Sequence, residues 1–127
     1  MSCFPYSLLT FSLSRSFTEA HGTSTSLGDL FEIQGINEVF ETSHSPDRPL
    51  VVGAAKSCVG HAELVAGLVG VVKALGTFAA GTVPGLVQLT PDNMNPSLDC
   101  SVVPLQLPVD TVTLKKENNL PLRGLVL

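Results

Sequence analysis

Two stretches of this chain concentrate side chains able to hold or move protons at a reacting centre. Glu19-Ala20-His21-Gly22-Thr23-Ser24-Thr25 and Lys56-Ser57-Cys58-Val59-Gly60-His61 each set a histidine beside glycine and small hydroxyl residues. Two imidazoles delivered by separate loops can converge on one reacting atom, and a nearby lysine can tune the proton affinity of one of them. Cys58 opens a different chemistry. A thiol near a helix N-terminus and beside Lys56 is a candidate nucleophile, with His61 as its base. Against it, neighbours three apart on a tight loop align poorly for proton transfer, and no third residue is evident to orient the pair. A zinc site built from His21, Cys58, His61 and Cys100 lacks the short paired ligand spacings of structural zinc, so no metal is expected. His44 falls in a Ser-Pro loop and reads as solvated.

The elements that must position these residues alternate strand and helix. Ser16 to Ala20 reads as the end of a strand and 21–28 as a loop. Asp29 reads as a helix N-cap, with Glu32 at capping-box spacing. Ile33, Ile36, Val39 and Phe40 continue an apolar helical stripe, which the Ser, Pro and Asp of residues 42–49 end. Leu50-Val51-Val52-Gly53-Ala54 is a continuous apolar run suited to a buried strand. Lys56 to His61 reads as a loop, followed by a helix over 62–80 that is apolar nearly all round. Only Glu63 and Lys73 are charged in it, and Ala66, Gly67, Gly70 and Ala74 allow close backbone approach. A membrane span needs about 20 mostly apolar residues. Lys73 near the centre and the small residues favour a buried helix of a water-soluble domain instead. Beyond Gly81 prolines punctuate the chain. Residues 90–96 form a turn-rich loop, and Val102-Val103 and residues 122–127 are candidate strands.

Composition narrows the class. Of 127 residues, 44% are apolar and 14% charged. The charged share is below the usual value of about a quarter, which suggests that something covers much of the surface. A net charge of −4 with no basic run gives no electrostatic footprint for nucleic acid. Three widely spaced cysteines, an odd number, do not form a disulfide framework and fit a cytoplasmic compartment. Residues 1–17 are apolar and Ser-rich but lack the basic start of a secretory signal. They read as a divergent or poorly ordered N-terminus, and residues 18–127 as one α/β domain.

The two histidine motifs, in this order and with a helix and a strand between them, resemble the C-terminal half of a β-ketoacyl synthase. The likeness is to the ketosynthase domains of polyketide synthases. That family carries E-A-H-G-T-G-T, then G-D-P-x-E, then K-S-x-x-G-H-x-E at the start of a small-residue helix. This chain has Glu19 to Thr25, Gly28-Asp29-Leu30-Phe31-Glu32, and Lys56 to His61 with Glu63. Val83-Pro84 and Thr90-Pro91-Asp92-Asn93-Met94-Asn95-Pro96 resemble the family's I-P-P and T-P-N-P-x-I-D stretches. There are departures. Ser24 replaces a glycine, Leu30 a helix-opening proline, and Cys58 a residue that is often Asn. No Ala-Cys-Ser setting for the family's nucleophile is present, nor the F-G-x-G-G-T-N loop that follows the last strand. Both absences lead us to expect a partial ketosynthase.

The resemblance implies a thiolase-like, αβαβα fold of which this chain supplies most of the second half. It implies decarboxylative Claisen condensation between an acyl thioester and a malonyl unit on a carrier protein, with no cofactor beyond the carrier's phosphopantetheine arm. His21 and His61 would be the oxyanion donors, Lys56 would tune or orient a histidine, and Glu63 would support it as a counter-charge. Thr23 and Thr25 would hydrogen-bond the pantetheine. Partners would be the acyl-carrier protein and the remaining ketosynthase half or a dimer mate, with neither nucleic acid nor membrane. Without the nucleophilic cysteine, the chain alone is expected to be inactive. Two other readings stay open: a non-catalytic module that pairs with an intact ketosynthase, and a Cys58/His61 thiol enzyme.

Overall fold

The computed structural model describes residues 17–40, 43–116 and 121–127. Its centre is a four-stranded parallel sheet in the order β4-β2-β1-β6. β1 (Phe17–Glu19) pairs with β2 (Leu50–Gly53) on one side and β6 (Gly124–Val126) on the other. β4 (Leu105–Gln106) extends the sheet beyond β2. The register sets Phe17 opposite Val51 and Glu19 opposite Gly53, so the two central strands end level with each other. A separate two-stranded antiparallel sheet, β3 (Thr82–Val83) with β5 (Val112–Thr113), packs beside it.

Side chains of a strand alternate between faces, and this sheet is covered on both. On one face α1 (Gly28–Phe40) lays Ile33, Ile36 and Phe40 against Leu50, Val52 and Val103. On the other, Phe17 and Val51 meet Ala74 of α3 (Ala66–Ala80), together with Val83 and Leu114. Each fully buried large apolar side chain contributes about 1.5–3 kcal/mol. Two such clusters, one per face, make this a layered α/β unit.

Several sequence expectations change. Lys56–Val59 is not loop but a single helical turn, α2, closed by Gly60 N–H donating to the Lys56 carbonyl at 2.9 Å. The helix expected over 62–80 opens as a 3-10 turn, Glu63–Val65, before α3 proper. Val103 is wholly buried but lies in a turn, and the strand starts at Leu105. Val39, expected on the buried stripe of α1, is 54% exposed. Asp29 does not cap α1. The Thr25 hydroxyl accepts the Gly28 N–H at 3.1 Å, and Asp29 sits inside the first turn. His44 is half-buried, edge-on to Phe40 at 5.6 Å, with Nδ1 2.8 Å from the Ser43 hydroxyl. Phe17 belongs to β1 and is fully buried, so the domain begins before residue 18; residues 1–16 lie outside the described ones.

Candidate functional site

Ligands of open parallel sheets bind beyond the carboxyl ends of the strands. Here β1 and β2 end side by side, with Ala20 N–H bonded to the Gly53 carbonyl at 2.7 Å. The chain leaving β1 carries His21; the chain leaving β2 carries Lys56 and, past α2, His61. The imidazoles meet edge-on, with ring centroids 5.7 Å apart. Lys56 Nζ donates to the His21 carbonyl at 2.5 Å and lies 3.3 Å from His21 Nδ1.

These bonds assign the tautomers. His61 Nδ1 accepts the Glu63 N–H at 2.9 Å, so its neutral ring carries the proton on Nε2. His21 Nδ1 faces an ammonium, which can only donate, so its neutral ring also carries the proton on Nε2. Two Nε2–H donors on adjacent loops can stabilise negative charge that develops on oxygen.

The surroundings are open and mix polar with apolar lining. His61 and Lys56 line a cavity of about 700 Å³ with Thr23, Thr25, Gln88 and Asn93. His21 lines an adjoining groove of about 420 Å³, largely apolar, with Thr23 and Glu32 common to both. His21 lines the groove and not the larger cavity, while its ring meets His61 edge-on. Both imidazoles are exposed.

The loop holding His21 is built by backbone constraints. Gly22 has φ +52°, and a Cβ there would lie 2.7 Å from the Ala54 Cβ, so glycine is required. Ser24 adopts φ +58° despite its Cβ, and its N–H donates to Asp29 Oδ1 at 3.1 Å. Burial is the main cause that lifts the Asp29 carboxyl above its ordinary range; the bond from Ser24 opposes it and the nearby Glu32 charge adds to it.

The sequence marks Glu32 at capping-box spacing from Asp29 and as the end of the Gly28-to-Glu32 motif. Its carboxylate also accepts the N–H groups of His21, at 2.5 Å, and Gly22, at 2.8 Å, fixing the His21 loop to α1. Glu63 does not pair with Lys56. Its contribution is its backbone N–H on His61, made at φ +45°, and Lys56 directs its ammonium to His21 instead. Cys58 is exposed, 3.7 Å from the Ser57 hydroxyl, and makes no bond to His61, whose Nδ1 is already occupied. The thiol-enzyme reading loses its geometry.

Residues 16–90 match the model of the β-ketoacyl synthase C-terminal domain. The chain belongs to the β-ketoacyl synthase family. It is 54% identical over 99 residues to the hispidin synthase of Neonothopanus nambi, covering 77% of this chain and 6% of that protein. Ketosynthase twelve of the bacillaene polyketide synthase of Bacillus amyloliquefaciens superposes with a TM-score of 0.79 at 27% identity. That match covers 94% of this chain and 21% of the other. The module 6 ketosynthase of the Bacillus subtilis bacillaene synthase gives 0.78 at 30% identity, over 95% and 21%. The fold is thus the C-terminal part of a thiolase-like ketosynthase of polyketide-synthase type. α3, with its 3-10 turn, is long and apolar enough to span a bilayer by length and composition. Its packing on the sheet assigns it to the ketosynthase fold.

Proposed function

We propose that this chain supplies the histidine side of a polyketide-forming ketosynthase site. The observation that carries the reading is the pair of adjacent imidazoles with both Nδ1 atoms engaged and both Nε2–H groups left as donors. In the condensation, a malonyl thioester on a carrier protein loses carbon dioxide. The electron pair of the broken C–C bond forms an enolate. The enolate carbon attacks an acyl group held as a cysteine thioester, and the tetrahedral oxyanion collapses with release of the thiolate. Negative charge develops on oxygen in both steps, and neutral N–H donors held in place stabilise it without adding a proton. His21 and His61 take this role, Lys56 holds the His21 ring, and Thr23 and Thr25 meet the pantetheine arm.

Among the described residues Cys58 and Cys100 are the free thiols, and in this reading the acyl-bearing cysteine is neither of them. Burial raises the Cys100 thiol pKa, which makes it a poorer nucleophile. The exposed imidazoles also need a covering half, because such donors act weakly in water. The partners in this reading are an acyl-carrier protein and the remaining, nucleophile-bearing ketosynthase half or a dimer mate, and the compartment is the cytoplasm. By itself the chain neither loads an acyl group nor condenses.

The test grafts this chain into the hispidin synthase in place of the segment it matches. The graft should elongate, and His61→Ala should slow elongation at least about a hundredfold while acyl loading persists. Normal elongation by the His61→Ala graft would sink the reading.

A further inference from the structure

Glu19 begins the first histidine motif, and nothing in its sequence position explains what it does. Phe17 and Glu19 both face α3, as strand alternation requires. The Glu19 carboxylate is 1% exposed. Its Oε1 accepts the Ala55 N–H, and its Oε2 pairs with Lys73 Nζ at 2.8 Å. Lys73 is the charged residue of α3, and its side chain is 14% exposed. Glycines make room for the pair. A Cβ on Gly53 would lie 2.9 Å from Lys73 Nζ and 3.0 Å from Glu19 Oε2; one on Gly70 would lie 3.5 Å from Glu19 Cγ.

One carboxylate therefore joins three elements at the root of the site: the end of β1, the junction of β2 with α2, and α3. Ala55 precedes Lys56 directly, and α2 has no side-chain cap of its own. Glu19 stands two residues before His21. We infer that the buried Glu19–Lys73 pair is a positioning device that sets the Lys56–His21 contact, and with it the His21 tautomer, in addition to binding α3 to the sheet. A buried carboxylate that loses its cation, or a cation that loses its carboxylate, shifts to find another partner. Either shift moves the Ala55–Lys56 segment relative to His21. The inference rests on the ketosynthase reading for its catalytic consequence and on geometry alone for the tautomer.

The test has two arms, each with Glu19→Gln, Lys73→Met and the neutral double variant. In the chain itself, ring 15N shifts of His21 report the tautomer. Each single variant should lose the Nε2–H signature, and the double variant should regain it. In the hispidin synthase graft, each single variant should slow elongation about tenfold or more, as misplacement does. Acyl loading should stay within about twofold, and the double variant should recover to within about threefold of the parent graft. Equal loss of loading and elongation, or a double variant no better than the singles, would reduce the pair to a stability element and overturn the inference. An unchanged His21 signature in all variants would do the same. A parent graft that cannot elongate would sink the ketosynthase reading instead, leaving the tautomer arm to judge the ion pair.

Discussion

The two helices that flank the sheet are built on opposite plans. α1 turns Ile33, Ile36 and Phe40 inward and carries Glu32 and Glu38 elsewhere, as a helix at a protein surface does. α3 is inverted. Its charge, Lys73, points inward to Glu19, while Leu68, Val72 and Leu75 stand outward at 67%, 68% and 61% exposure. Small buried positions, Gly70 and Ala74, bring α3 close to the sheet. An apolar face of this size on the outside suits packing against further protein. α1 also leaves Phe31 and Val39 outward, at 65% and 54% exposure, so the contrast lies in where the charges go: outward on α1, inward on α3.

The largest effect expected from breaking this contrast is at Phe40, 1% exposed at the centre of the α1 cluster. Phe40→Ala should lower the unfolding free energy by about 3–5 kcal/mol, read from urea midpoints. A loss under about 1 kcal/mol would mean that the cluster under α1 is not a packed core.

The turns beside the helices sharpen it further. α3 ends on Gly81 at φ +68°, which costs glycine little, whereas the loop before α1 passes through Ser24 at φ +58°. Ser24→Gly should therefore stabilise the chain by about 1 kcal/mol in the same unfolding assay. Destabilisation would show that the Ser24 hydroxyl makes a contact worth more than the strain.

On the outer face of α3, Leu68→Glu with Val72→Lys should change the stability of the chain by less than about 0.5 kcal/mol. The same pair should abolish elongation in the hispidin synthase graft and reduce self-association of the free chain by light scattering. Retained elongation would show that nothing packs on that face.

The smallest effect concerns pH. Burial raises the Asp29 carboxyl pKa in the folded chain, so the folded state holds that proton more tightly than the unfolded state. The contribution to stability is then most favourable below the ordinary carboxylate range and falls as pH rises through the folded value. Asp29→Asn should flatten this decline in urea midpoints taken from acid to neutral pH. A variant with the parent's slope would assign the decline to other groups.

Local pattern carried much of this protein. The alternation of β1, α1, β2 and α3 follows from apolar runs and periodicity, and the two histidine motifs pointed to a ketosynthase because side-chain type and spacing are written directly in the chain. The 62–80 segment reads as a buried helix from its composition, but the fold leaves Leu68, Val72 and Leu75 outward, because the small positions Gly70 and Ala74 are the ones turned to the sheet. What needed the tertiary structure was every relation across distant segments. Glu19 and Lys73 stand far apart in sequence, and only the parallel pairing of β1 with β2 above α3 makes them partners. Glu32 looked like a cap because capping is a local rule, yet the fold of the 21–28 loop turned it to the backbone of His21. The family resemblance implied Glu63 as a counter-charge to Lys56, but the turn at Glu63 sets its backbone N–H on His61 and leaves Lys56 to His21. Sequence named the chemical groups; the partner each group meets was decided by packing, because hydrogen bonds and ion pairs form with whatever the folded backbone brings within about 3 Å.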